Sequence, residues 1–364
     1  MHSTSFFWDI LTHSLAFVHN FMYKIPVRRI TGRLLFYLLF VLPPLSLSLL
    51  ERYNTIDFFK NSLFSSRDDS LSAYVRKFFV NYRPRAGCVV LLEVHSGRVL
   101  VLEEWNLPDA WERNDFPFAS LFKFITLSGV IEEKMYGRKD MVEYRGYPHS
   151  YIKEAWEKCD KKKMSLSKAF GISNNPLFAE LGKKLGRERL LKYAYRAGFN
   201  GTYFDLPWGW VNEDEDVEYL ASGLAGSYGG PLHAALVGYA IASGGWLIRP
   251  SFSKLAWKRV IGRFVSERTA REILEASEYT VKYGTAREVW REVHPPFRAG
   301  GKTGSLTGSN PRGRYEWFVG FAPLEDPEVV VAVLIVNGKY WRLKSSYLAL
   351  KVMEEYLKRR GYVN

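Results

Sequence analysis

Cysteine is nearly absent: the 364 residues hold two, Cys88 and Cys159. So few thiols exclude a disulfide-stapled scaffold, and the seven histidines show no zinc-ligand spacing. Cys88 sits in the apolar run "CVVLLEV" and Cys159 in the charged run "EKCDKKK", and nothing pairs them; two free thiols are the expected state. Linkers are lacking too. After residue 50 there is no Pro/Gly/Ser-rich stretch, low-complexity run or internal repeat, which argues against solenoids and strings of modules. No RNA-binding signature or long basic block with interleaved aromatics occurs, so nucleic acid is the weakest candidate partner. Positive charge, by contrast, is abundant. Lys and Arg number 51 against 38 Asp and Glu, a net charge of +13 that favours anionic lipid or an acidic polymer.

One long apolar run is present. Residues 34–50, "LLFYLLFVLPPLSLSLL", carry no charge over 17 positions, the short end of a membrane-spanning helix. Lys24, Arg28, Arg29 and Arg33 precede it. The positive-inside rule keeps the N-terminus in the cytoplasm and exports the chain beyond residue 50. The alternative is a buried core helix. Upstream, "FFWDILTHSLAFVHNFMY" places Asp9, His13 and Asn20 on one narrow stripe at helical spacing. This suits a helix lying in the membrane interface or docked on a partner's membrane helices. The expected organisation is an interfacial segment at 1–33, an anchor at 34–50, a linker with a lead-in helix at 51–84, and one domain at 85–364.

Within the exported part, "SLSAYVRKFFVNY" (70–82) is amphipathic at helical spacing. "CVVLLEV" and "RVLVLEEW" flank "HSG" as a hairpin. Helices are expected at 119–133, 176–199, 231–243, 266–284 and 344–360, with three strands, "AGGKTGSLT", "YEWFVGFAP" and "EVVVAVLIVNG", before the last. Strands first, helices in the middle and strands last predict an α+β fold, an antiparallel sheet packed against helices.

Three short motifs carry possible chemistry. Ser120 and Lys123 form Ser-x-x-Lys, which on a helix puts hydroxyl and amine on one face. A desolvated lysine loses basicity and can accept the serine proton. Ser150/Lys153, Ser165/Lys168 and Ser251/Lys254 share the spacing, but only Ser120 sits in an apolar setting, "FPFASLFKFIT", where Lys123 should be half buried. The competing reading is an N-cap serine with a snorkelling lysine. Ser173 and Asn175 form a single Ser-x-Asn ahead of Pro176, which also reads as a helix N-cap. Lys302, Thr303 and Gly304 form a single Lys-Thr-Gly. On a strand, Lys302 and Gly304 face one way, Thr303 the other, and the glycine would let a substrate backbone approach.

In this order and spacing, 53 and then 129 residues apart, the three motifs resemble the active-site triplet of penicillin-binding protein transpeptidase domains. "VVLLEVHSGRVLVLE", "SNNPLFAELGKKLG", "GPLHAALVGYAIASGGWLIRP", "VKYGTA" and "WFVGFAP" are similar to further family segments, so the likeness covers about residues 70–360. Gly230, His233 and Ser305 stand where the family usually has Thr, Gln and Thr. The resemblance implies the penicillin-binding/serine β-lactamase-like fold in a class B-like, monofunctional member without the usual pedestal domain. It implies Ser120 as nucleophile, Lys123 as its base, Ser173 as proton relay, Asn175 as substrate orienter and Lys302 as a source of positive charge. Thr303, Gly304 and Ser305 would line the substrate site, with the backbone N–H groups of Ser120 and Ser305 as oxyanion hole. No cofactor or metal is implied. The implied partners are peptidoglycan stem peptides, β-lactams, the cytoplasmic membrane and a membrane glycosyltransferase. A serine β-lactamase, a D,D-carboxypeptidase and a non-catalytic sensor or scaffold remain alternatives.

Overall fold

The computed structural model of the chain describes residues 65–202, 206–255 and 257–363. The interfacial segment and membrane anchor expected at 1–50 lie outside the described residues. Among the described residues, no helix is long and apolar enough to cross a membrane.

Ser66–Asn364 form one compact unit. It opens with α1 (Asp69–Tyr82), whose start is capped by the Asp68 carboxylate accepting from the Ser70 and Leu71 N–H groups. Leu71, Val75 and Phe79 of α1 are buried in the main core, so the expected lead-in helix is an integral layer and the unit begins well before residue 85. The hairpin follows as β1 (Ala86–Glu93) and β2 (Val99–Trp105). Next come a 3-10 helix (Ala119–Phe122), α2 (Lys123–Glu132), β3 (Met141–Arg145), α3 (Lys153–Glu157), β4 (Lys161–Ser165) and α4 (Leu166–Gly171). The long helix expected at 176–199 is two, α5 (Asn175–Leu185) and α6 (Arg187–Arg196). The break falls at Gly186, whose φ of 82° and ψ of 153° leave the helical region. Short β5 (Trp210–Val211), α7 (Val217–Ser222) and β6 (Ser227–Tyr228) lead to α8 (Pro231–Ala242), buried along its whole length. After β7 (Trp246–Arg249) and β8 (Arg259–Arg263) come α9 (Glu267–Lys282), α10 (Arg287–Val293), β9 (Gly300–Ser309), β10 (Arg312–Ala322), β11 (Val329–Asn337) and α11 (Ser345–Arg359).

The main sheet has the order β2-β1-β11-β10-β9, every pair antiparallel. Every residue of β1 and β11 is buried, because helices cover both faces; their runs are therefore continuously apolar. The cluster on one face joins Val89, Leu91, Val331 and Val333 to α1 and to Leu348, Val352 and Met353 of α11. Each such side chain contributes about 1.5–3 kcal/mol on burial. Opposite it, α8 lies against β1, β10 and β11, with Gly238 admitting Val319 and Val330. The two edges of this sheet differ in use. The chain arrives along β2, where Ser66 Oγ donates to Val99 O (2.6 Å) and Asp68 N to Leu100 O (2.8 Å). The opposite edge, β9, carries Lys-Thr-Gly.

The α+β expectation holds in this architecture. Both cysteines are free thiols, Cys88 buried and Cys159 partly exposed.

Candidate active site

Ala119 precedes the serine with φ of 54°, an uncommon left-handed conformation for a residue with a Cβ. Ser120 follows inside the 3-10 helix and Lys123 opens α2. Ser120 is thus not a helix cap. Side chains three apart eclipse on a 3-10 turn, which brings Lys123 Nζ within 2.9 Å of Ser120 Oγ. Lys123 also donates to Asn175 Oδ1 (2.9 Å) and to the Ser222 carbonyl. It is fully buried, not half buried, and no carboxylate pairs with it among the described residues. Burial, reinforced by the charge of Lys302, holds its amine well below the ordinary lysine range. The other three Ser-x-x-Lys lysines differ: Lys153 pairs with Asp216 and Glu218, and Lys168 and Lys254 are exposed.

The capping role expected at Ser-x-Asn falls to the residue between. Asn174 Oδ1 accepts from Leu177 N (3.1 Å), which releases Ser173 and Asn175 from that task. Ser173 is almost buried and left-handed, with φ of 58°. Asn175 joins three segments: its Oδ1 receives Lys123, its Nδ2 donates to Ser150 O (3.2 Å) and its N–H to Pro148 O (2.7 Å).

On β9, Lys302 is fully buried, donates to Thr303 O (2.9 Å) and lies over the Phe170 ring at 5.5 Å. Burial lowers its pKa to about 7, so its positive charge is conditional rather than fixed. Gly304 faces inward with Lys302. A Cβ there would stand 3.3–3.4 Å from Trp317, Ala119 and Leu121, so the glycine lets the turn that holds Ser120 pack closely on β9. Thr303 shares a 2.6 Å hydrogen bond with Thr285, itself tied to Gly171 O by its N–H (3.1 Å). Among the described residues Ser305 Oγ is buried without a hydrogen-bond partner.

Sequence reasoning missed three supports. The Ser222 carbonyl is a backbone group that any residue would supply. Gly223, with φ of 69°, lets α7 end against the nucleophile turn: a Cβ there would meet Ala119 O at 2.1 Å. Thr285 lies in "VKYGTA", a segment noted for its likeness alone. His233, one of the three residues departing from the family pattern, is structural. Its Nδ1 accepts from Gly209 N (2.9 Å), its Nε2 lies 2.9 Å from Ala197 O, and burial lowers its pKa to about 4.

Around one buried amine, then, stand a serine hydroxyl and an amide bonded to it, a second serine two residues before that amide, a second buried lysine and the outer edge of β9. A serine hydroxyl beside a buried amine is an arrangement suited to nucleophilic chemistry, and an outer strand edge to strand addition. The chain belongs to the penicillin binding protein transpeptidase domain family, whose model matches residues 87–357. It is 31% identical over 271 residues to stage V sporulation protein D of Bacillus subtilis, covering 64% of this chain and 40% of that protein. It is 24% identical over 318 residues to the peptidoglycan D,D-transpeptidase PbpA of Mycolicibacterium smegmatis, covering 70% and 62%. The chain thus spans about half the length of these relatives. In fold it is similar to the D,D-transpeptidase domain of a peptidoglycan glycosyltransferase from Eggerthella lenta (TM-score 0.66, 22% identity, 82% and 83% covered). It is likewise similar to a peptidoglycan glycosyltransferase from Burkholderia ambifaria (TM-score 0.69, 19% identity, 82% and 98% covered).

Proposed function

We propose that this chain is a D,D-transpeptidase that cross-links peptidoglycan stem peptides through an acyl-enzyme on Ser120 and is acylated by β-lactams at the same residue. The observation that carries the proposal is Lys123: fully buried, without a carboxylate and 2.9 Å from Ser120 Oγ, it is an amine suited to act as a base. The donor peptide lies along the free edge of β9, as an added strand. Its terminal carboxylate rests on the hydroxyls of Thr303 and Ser305, next to Lys302. A bound carboxylate favours the charged form of that lysine, so the donor itself supplies the conditions for the positive charge.

Ser120 Oγ attacks the carbonyl carbon of the D-Ala-D-Ala bond while its proton passes to Lys123. Negative charge developing on the carbonyl oxygen meets the N–H groups of Ser120 and Ser305, each donor contributing about 2.7–4 kcal/mol in comparable hydrolases. The C–N bond breaks as the departing D-alanine amine takes a proton from the Lys123 ammonium through Ser173, and an ester remains on Ser120. Asn175 orients the substrate amide. The amine of a neighbouring stem peptide then attacks the ester, its proton returns by the same groups, and Ser120 is released with the cross-link formed. By the sequence reading, residues 34–50 anchor the chain in the cytoplasmic membrane, with the N-terminus inside and the domain outside. Residues 1–33 offer the contact for a membrane glycosyltransferase.

The test is a labelling gel. The full chain in membranes is incubated with a fluorescent penicillin, denatured and compared with Ser120→Ala. Stable label in wild type alone supports the proposal. Label that appears and vanishes indicates water as acceptor, as in a β-lactamase or carboxypeptidase. Label persisting in Ser120→Ala rules out Ser120 as nucleophile.

A further inference from the structure

The segment joining β3 to α3 reads "GYPHSYI" over residues 146–152. Pro148 and His149 form the tip of a turn that the Ser150 N–H closes on Tyr147 O (3.0 Å). Proline at the first of the two central positions presets such a turn. Gly146, with φ of 111°, lets the turn settle on the start of α5: a Cβ there would stand 2.9 Å from Pro176 and from Trp156. The residues on either side of His149 are then held by Asn175, whose N–H donates to Pro148 O (2.7 Å) and whose Nδ2 donates to Ser150 O (3.2 Å). Asn175 also receives Lys123, so the turn and the amine beside Ser120 hang on one side chain.

His149 itself is exposed and has no hydrogen-bond partner among the described residues. Partial burial and the charges of Lys302 and Lys123 hold its imidazole below the ordinary histidine range, and no carboxylate is among the groups acting on it. The ring therefore lies in the field of both site lysines and is neutral at pH 7, with one nitrogen free to accept a hydrogen bond. Other acceptors on this wall are taken. Pro148 O and Ser150 O serve Asn175, while Asn175 Oδ1 and Ser222 O serve Lys123.

In the mechanism above, the departing amine takes its proton by way of Ser173, two residues before Asn175. The acceptor amine attacks the same carbon from the place that amine left, because bond making retraces bond breaking. That place borders the wall of Ser173 and Asn175, on which the His149 turn is held. The positive field that disfavours imidazolium also disfavours an alkylammonium, so it favours the free amine that can attack. Such an amine brings two N–H donors and one lone pair.

We propose that His149 belongs to the acceptor site: its imidazole nitrogen takes a hydrogen bond from the attacking primary amine and points the amine's lone pair at the acyl carbon. The proposal rests on the transpeptidase reading of this site. No proton changes hands with His149; the amine's proton leaves by Ser173 and Lys123.

The experiment uses the full chain in membranes, with a donor peptide ending in D-Ala-D-Ala and, as acceptor, an N-acetylated lysine peptide that has one free side-chain amine. Transfer and hydrolysis products are quantified by mass spectrometry, and fluorescent-penicillin acylation is timed in the same preparations. In His149→Leu the ratio of transfer to hydrolysis should fall about fivefold, the loss of one hydrogen bond, and that fall should exceed any change in penicillin acylation. His149→Gln, which keeps an acceptor oxygen, should restore the ratio to within about twofold of wild type. An unchanged ratio in His149→Leu, or a ratio in His149→Gln as low as in His149→Leu, overturns the inference. A fall in penicillin acylation as large as the fall in the ratio overturns it too, since the turn would then only prop Asn175. Hydrolysis without transfer in wild type, or label persisting in Ser120→Ala, removes the transpeptidase reading and this inference with it.

Discussion

Gly223 makes no contact with substrate in the proposed mechanism, yet Gly223→Ala should slow acylation severely. Its φ is 69°, where an L-residue costs about 1–2 kcal/mol. More telling, the new Cβ would stand 2.1 Å from Ala119 O, whereas Cβ contacts below 3.0 Å essentially do not occur. Relief requires the nucleophile turn to retreat by about 0.9 Å, and Ser120 with it. A misplacement of about 1 Å at a reacting centre can cost about 100-fold, or about 2.7 kcal/mol of barrier. Gly186→Ala supplies the control. Gly186 has φ of 82° but nothing within 4 Å of a new Cβ, so the substitution carries a backbone cost of about 1–3 kcal/mol without moving the turn. The assay is the second-order rate of fluorescent-penicillin acylation beside urea unfolding. Both variants should lose stability, and Gly223→Ala alone should lose about two orders of magnitude in rate. Equal rates for the two variants, or a Gly223→Ala rate within threefold of wild type, would refute the argument that this glycine holds the nucleophile in place.

Two further outcomes arise from the buried polar groups. Lys302 falls from 10.5 in the unfolded chain to about 7 when folded, so between those values the unfolded chain binds the extra proton and stability rises with pH. Below pH 7 the full cost, about 5 kcal/mol, is present. Lys302→Met should therefore be more stable than wild type at pH 6, by up to that amount, and the advantage should shrink by pH 9 while acylation is lost; a constant stability difference across that range in urea unfolding would contradict it. Ser305→Ala removes a buried hydroxyl that has no partner among the described residues, so stability should hold or rise, by at most about 1–3 kcal/mol. A lost hydrogen bond to a carboxylate, about 1.5–3 kcal/mol, should still lower acylation efficiency about 10- to 150-fold, and unchanged efficiency would exclude Ser305 from the carboxylate site.

Much of this architecture is legible in the sequence, because continuous apolar runs and helical periodicity follow directly from burial. The β1–β2 hairpin and the β10 and β11 strands of the sheet are of this kind. The α5–α6 break is not, since the apolar spacing runs on through Gly186 and only its conformation interrupts the helix. Strands β3 and β4 were hidden for another reason: "KKKMS" is mostly exposed and takes its form from pairing with Met141–Arg145. At the site, Lys123 could be located by its apolar neighbours, but its partners could not. The Ser222 carbonyl carries no residue identity, and the division of labour between Asn174 as cap and Asn175 as ligand of Lys123 depends on one turn of backbone. The burial of Lys302 was equally out of reach, because "GGKTGSLTG" has the composition of an exposed turn and its inward face is set by pairing with Val319 and Trp317.

The order of the main sheet has a mechanical consequence. The chain enters along β2 and Lys-Thr-Gly lies on β9, with β1, β11 and β10 between. Four inter-strand steps of about 4.8 Å make a rigid spacer of about 19 Å. Changes in the length of the segment before Ser66 would not alter the offset between its entry along β2 and the Lys-Thr-Gly edge. That offset is built into hydrogen-bonded backbone, so adding or trimming linker residues should leave it unchanged.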